Sequence, residues 1–419
     1  MSEDIHQGDG RRGSWKWWVC GLLLLASAIN YMDRQTLANA AVRITGEFSL
    51  SQEQYGNLEL VFGWAFALGS IVFGLAADRV SLRWLYPVVL MLWSAVGFST
   101  GLVQDYTDLL VCRTLLGFFE AGHWPCAIKT TQRLLASRDR SMGNSVLQSG
   151  TSIGAIATPL IMSAIMTDQA GSWRLPFQVI GAAGLLWIAL WFYLVRKDDL
   201  AGLAPVSAAA ADPSPTRSFR QVVFTRRFLT LMIVIALINT AWQLLRAWLP
   251  KFLQEGRGYL EGDALHFNAL FFIATDVGCL GAGALTVWLH RRGFTVGGSR
   301  RLTFFGCALL TSLTAVAAFL PRGWLLLVLL LVVGAGALGL FPVYHAYTQE
   351  LSTEHQGKIT GLLGVFAWAF SPAHKYFGRL IDQTGSFDLG IALVGWMPVA
   401  AFVALWFLWG PRRPERNAD

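Results

Sequence analysis

Charge is scarce in this chain. Only 14% of its 419 residues are Asp, Glu, Lys or Arg, against 54% hydrophobic residues, whereas a soluble domain carries about 25% charge. With a mean hydropathy of +0.48, the shortage excludes an ordinary soluble globule. Cysteine is rare too, and all five (Cys20, Cys112, Cys126, Cys279, Cys307) sit in apolar runs. They read as small buried hydrophobes, not as disulfides or metal ligands. His123, His345 and His374 lack metal-ligand spacing. Neither a Walker loop, nor a nucleophile elbow, nor a His-Glu zinc motif occurs. The expectation is therefore no enzyme, no catalytic residue, no metal and no cofactor. No Asn-x-Ser/Thr sequon occurs either, which leans towards a bacterial inner membrane.

What the chain has in abundance is long apolar runs. Twelve blocks are centred near residues 28, 66, 94, 119, 154, 184, 240, 277, 311, 335, 369 and 399, each long enough to span ~30 Å of hydrocarbon as a helix. Short alternating segments, the mark of a β-barrel, are missing. This predicts an all-α membrane protein with twelve transmembrane helices. The net charge of +7 is spread over every second connection, from Arg11/Arg12/Lys16 to Arg412/Arg413/Arg416. That places both termini in the cytoplasm by the positive-inside rule and speaks against nucleic acid as a partner. The polar tail Met1–Ser14 leads into a run too long for a signal-peptide core, so the first helix acts as its own anchor.

The one long connection contains LAGLAPVSAAAADPSPT, a flexible Ala/Pro/Ser linker. The expected organisation is a tail (1–14), a six-helix half (15–195), a cytoplasmic linker (196–225), a second six-helix half (226–410) and a tail (411–419). The halves resemble each other. DQAGSW (168–173) matches DQTGSF (382–387) at an offset of 214, and at 217 Gly117, Gly122, Pro125 and Gln132 fall on Gly334, Gly339, Pro342 and Gln349. Glycine and proline answer backbone demands few residues meet, so the match points to two pseudo-symmetric halves that rock around a midplane site.

An ionised side chain at a bilayer centre costs roughly 2.5–3.5 kcal/mol on insertion scales, so intramembrane charges mark function. Arg113 and Glu120 stand inside LLVCRTLLGFFEAGHWPCAI (109–128), seven residues and about 10 Å apart on one helical face. Gly117 between them leaves room for a ligand or a neighbouring helix. Asp33 and Arg34 follow VCGLLLLASAIN (19–30) and, being adjacent, point about 100° apart. A carboxylate and an arginine in each segment suit a proton and an anion; the plainer reading is structural ion pairs or, for Asp33 and Arg34, a helix end. On the seventh span Arg246 either latches onto Asp276 of the eighth or offers a second anion contact. On the eleventh, Trp368, Ser371 and Lys375 share a face near a Pro372 kink, where Trp368 either stacks on substrate or packs.

The loop GLAADRVSLR (74–83) resembles the signature loop of the major facilitator superfamily, with Gly74, Asp78, Arg79 and Arg83 matching. Within that superfamily NYMDRQTL (30–37), CRTLLGFFEAGHWP (112–125), GNSVLQSGTSIGAIATPL (143–160), WLPKFL (248–253) and FPVYHAYTQELS (341–352) look like the anion:cation symporters. These include hexuronate, galactonate and glucarate transporters and, more distantly, sialin and the vesicular glutamate transporters. The resemblance implies that Asp33 and Glu120 couple protons and that Arg34 and Arg113 bind the substrate carboxylate. It also implies that Gln148 and Tyr31 line the sugar site and that Gly74, Asp78, Arg79 and Arg83 gate. Phe66, where sugar-acid carriers often have Tyr, and Arg246, where hexuronate carriers are usually neutral, depart from the pattern. The expected function is a monomeric proton-coupled symporter importing a sugar acid by rocker-switch alternating access. The alternative is an exporter or antiporter of amphiphilic or other organic anions.

Overall fold

A computed structural model of the chain describes residues 10–135, 140–196, 199–200, 219–351 and 356–410. The expected tails, apart from residues 10–14, and most of the linker lie outside the described residues. Helix dominates, with no strand among the described residues. In order, the helices are α1 (Gly10–Asn39), α2 (Ala41–Glu47), α3 (Gln52–Arg79), α4 (Leu82–Thr100), α5 (Tyr106–Glu120) and α6 (His123–Leu134). There follow α7 (Arg140–Ile165), α8 (Arg174–Leu194), α9 (Phe219–Val223), α10 (Arg226–Lys251), α11 (Glu261–Arg291) and α12 (Val296–Ser312). The last are α13 (Thr314–Ala317), α14 (Trp324–Thr348), α15 (Gln356–Ala369), α16 (Pro372–Thr384), α17 (Asp388–Val394) and α18 (Trp396–Leu408).

Local chemistry sets these boundaries. Ser51 and Gln54 form a reciprocal capping box at the start of α3, Asp105 and Thr295 cap α5 and α12, and left-handed Gly385 ends α16. Seven stretches among the described residues are long and apolar enough to cross a membrane, in α3, α4, α8, α10, α11, α14 and α17–α18. The fourth apolar block is broken between α5 and α6, and the eleventh at Phe370–Ser371 between α15 and α16. Pro372 therefore starts a new helix instead of kinking one. The face expected to carry Trp368, Ser371 and Lys375 is split between two helices.

By contact the chain forms two compact units. The first holds the described residues of Met1–Asp212, Arg246–Ile273 and Ser371–Ser386; the second those of Pro213–Leu245, Ala274–Phe370 and Phe387–Asp419. In the first, α1 packs on α7 and α8, α4 on α5 and α8, and α3 on α5 and α16. The α1–α7 crossing is close enough that a Cβ at Gly150 would meet the Leu24 carbonyl at 2.2 Å, the kind of approach only glycine permits. Its core is aromatic. The Trp187 and Trp191 rings stack at 5.1 Å, and their indoles donate to the Leu22 and Arg83 carbonyls, which satisfies the polar end of each ring. In the second unit α12 packs on α14 and α18, the same relation that α4 has to α5 and α8.

Candidate functional site

Helix periodicity gathers the charged residues of the first unit. Asn30 and Arg34 are one turn apart on α1, and Arg34 Nη2 donates to Asn30 Oδ1 at 3.0 Å. Its Nε donates to Glu120 Oε2 of α5 at 2.6 Å. The guanidinium lies 4.6 Å from the Phe66 ring centroid and 5.8 Å from that of half-buried Tyr31, within cation–π range. Asp33 points away from this pair, as adjacency requires. It faces α4, where a Cβ on Gly97 would come 2.9 Å from Asp33 Oδ1.

On α5 the expected shared face is real: Arg113, Leu116, Gly117 and Glu120 are all buried. Gly117 makes room for a helix, since a Cβ there would strike the Phe62 carbonyl of α3 at 2.3 Å. Arg113 and Glu120 do not depend on each other for a partner. Arg113 Nη2 donates to Glu59 Oε1 of α3 at 3.2 Å, and its guanidinium stands 4.4 Å from the Phe62 centroid. Glu59 Oε2 accepts from Arg246 Nη2 of α10 at 2.6 Å.

Glu59 is the member of the buried charge cluster that sequence reasoning missed. Its signal was present, a lone acid in the apolar run NLELVFGWAF, but at the edge of a block it passes for a ragged helix end. Asp33, Arg34, Glu59, Arg113, Glu120 and Arg246 are each at most 5% exposed. Burial on this scale is costly unless pairing compensates, and here compensation is incomplete. Among the described residues, Asp33 Oδ1 and Oδ2, Glu120 Oε1, and Arg113 Nε and Nη1 have no hydrogen-bond partner.

Other expected residues are placed differently. Gln148 is exposed on α7, with Nε2 3.3 Å from Thr151 Oγ1. Trp368 is half-buried on α15 and belongs, with Asp276, to the second unit. Arg246 is in the first, where it meets the acid of α3, a partner that neither reading of that arginine anticipated. At the loop, Gly74 has open space where a Cβ would project, and Arg79 is exposed at the last turn of α3. Arg83 is half-buried with its guanidinium 5.8 Å from the Trp84 ring. The Asp78 side chain lies outside the described residues. Lys129 of α6 donates to the Ala77 carbonyl at 3.0 Å, a cation at a helix C-terminus where the dipole favours it.

The opposite end of α3 is held by polar contacts. Asp382 of α16 accepts from the Gln52 and Glu53 amides at 2.9 and 2.8 Å. Glu53 pairs with Arg379 at 2.7 Å. Nearby, Arg43 pairs with Glu261 at 2.5 Å and donates to the Thr167 carbonyl.

Residues 23–373 match the sequence profile of the Major Facilitator Superfamily. The chain belongs to the major facilitator superfamily. It is thus a membrane-spanning transporter and not an enzyme. Among its relatives in the superfamily is a protein of Escherichia coli (strain K12) named "Probable L-galactonate transporter", 27% identical over 411 residues that cover 92% of this chain and 88% of the relative. The hexuronate transporter of the same organism is 25% identical over 406 residues, 91% of this chain and 93% of that one. In fold, the D-xylose-proton symporter superposes with a TM-score of 0.77 at 14% identity, over 94% of this chain and 98% of that one.

Proposed function

We propose that this chain is a proton-coupled symporter that imports a sugar acid of the hexuronate or aldonate type across a bacterial inner membrane. The observation that carries the reading is the incompletely paired charge cluster. Arg113 is wholly buried yet keeps two donor positions unused, and oxygens of Asp33 and Glu120 in the same cluster also lack partners. A carboxylate ligand supplies what those donors need, and the planar guanidinium fork suits it. The names carried by the relatives, transporters of galactonate and hexuronates, support the same substrate class.

Asp33 and Glu120 carry the protons in this reading. An ionised carboxylate without a partner is expensive away from water, so Asp33 gains most from taking up a proton, whereas Glu120 is already held by Arg34. Arg34 and Arg113 bind the substrate carboxylate, while Tyr31 and Gln148 complete the lining. The chain works as a monomer with twelve spans in two six-helix halves (15–195 and 226–410) joined by the linker 196–225. Both termini lie in the cytoplasm. The halves rock, and the loop bearing Gly74, Asp78, Arg79 and Arg83 latches the cytoplasmic face.

The test is uptake of labelled galactonate and glucuronate into proteoliposomes with an inward proton gradient. Asp33→Asn is expected to abolish accumulation above equilibrium while retaining substrate exchange. Full proton-driven accumulation by that variant would sink the coupling role, and no uptake of either acid by the parent would sink the substrate class.

A further inference from the structure

Glu59 occupies the arginines in the way a bound carboxylate would. Its two oxygens are divided between two guanidiniums, Oε1 to Arg113 and Oε2 to Arg246. The two contacts are unequal, 3.2 Å to Arg113 against 2.6 Å to Arg246. Arg113 also retains unused donors at Nε and Nη1 although none of its surface is exposed, and the Phe62 ring 4.4 Å from its guanidinium backs that fork. Arg246 is fixed more firmly, since its Nη1 also reaches the Arg34 carbonyl at 3.4 Å. Of the two arginines, Arg113 is the one Glu59 holds loosely.

We propose that Glu59 is a resident carboxylate that stands in for the substrate on Arg113, and that the incoming substrate carboxylate displaces it while Arg246 retains it. The inference rests on reading Arg113 as the anchor of an acidic substrate. Two carboxylates brought onto one guanidinium in a water-poor interior repel each other strongly, so the resident acid competes directly with the ligand. In the empty carrier Glu59 neutralises Arg113 and keeps the buried charge tolerable. When substrate arrives, Arg246 receives the whole of the Glu59 charge, so no carboxylate is left stranded. Arg246 then acts on affinity through Glu59. It is a positioning residue, and its effect depends on the acid it holds.

The two variants therefore shift affinity in opposite directions. Calorimetric titration of galactonate and glucuronate onto the detergent-purified full chain reads this directly. Glu59→Gln keeps the shape but removes the competing charge, and is expected to bind both acids about tenfold more tightly, within the range usual for coupled sites. Neutral galactitol should gain nothing. Arg246→Gln returns Glu59 to Arg113 alone and weakens binding several-fold, but the same change made in the Glu59→Gln background has no effect. If Glu59→Gln does not fold, Glu59→Asp, which retracts the carboxylate from Arg113, is expected to give a smaller tightening. Equal or weaker binding by the Glu59 variants overturns the inference. So does a loss on Arg246→Gln that persists in the Glu59→Gln background, because Arg246 would then touch substrate itself. Binding of neither acid by the parent chain is a different result; it removes the sugar-acid reading and the inference built on it.

Discussion

The contact between α3 and α5 is the support on which the charge cluster depends, and one methyl group tests it. A Cβ built on Gly117 lies 2.3 Å from the Phe62 carbonyl oxygen and 3.0 Å from its Cα and carbonyl carbon. Non-bonded carbon settles at roughly 3.5–4.0 Å, so Gly117→Ala requires α3 to withdraw by about 1 Å. Glu59 sits three residues, nearly one turn, before Phe62. Its 3.2 Å reach to Arg113 therefore stretches to about 4 Å, outside hydrogen-bonding range. Backbone cannot yield as a flexible side chain does, and the variant is expected to lose about 1–3 kcal/mol, as overpacked cores do.

The matched control is Gly21→Ala on α1. A Cβ there meets nothing within 4 Å, and alanine in a helix interior is favoured over glycine by roughly 0.5–1 kcal/mol. Thermal unfolding of the purified protein in detergent compares the two. Gly117→Ala should melt clearly below the parent, and Gly21→Ala at or slightly above it. Coincident melting of both variants with the parent would refute the argument that α5 approaches α3 through Gly117.

Two further outcomes follow from polar groups away from the cluster. Asp382→Ala strips the acceptor from the Gln52 and Glu53 amides and should cost about 0.5–2 kcal/mol, as lost helix caps do; hydrogen exchange at those two amides should quicken while α4 is unaffected. Burial by itself pushes the Glu47 carboxyl up, but hydrogen bonds from the Trp173 indole and the Arg174 guanidinium, with its charge, outweigh this and hold the pKa below its usual value. A carboxylate lowered in the fold contributes stability above its unfolded pKa and loses it as pH falls through the lowered one. Melting curves across that acid window should therefore fall less steeply for Glu47→Gln than for the parent.

Much of the charge cluster was legible because charge is conspicuous in a chain this apolar. Arg113 and Glu120 interrupt an otherwise unbroken run, and their seven-residue spacing alone puts them on the one face that α5 buries. Asp33 and Arg34 were legible as neighbours that must part company, and they do, one towards Gly97 and the other towards Glu120. Glu59 was not legible, since an acid five residues past the capping-box Gln54 reads as the polar margin of a span. DQTGSF was read as half of a repeat. Its aspartate turns out to cap α3, a role that depends on a helix more than three hundred residues away in sequence.

Hydropathy, helix period, caps and charge placement are properties of short stretches, and they add up along the chain without reference to its folding. For this reason the sequence by itself determined a helical membrane protein and picked out most of its buried charges. Which charge meets which is another matter. Arg246 had two plausible destinations, and Arg113 and Glu120 had each other, until the approach of α3 through Gly117 inserted a third acid between Arg113 and Arg246. Ion pairing falls off within a few ångströms, and separations of that size between distant helices are decided only when their small residues let the backbones close.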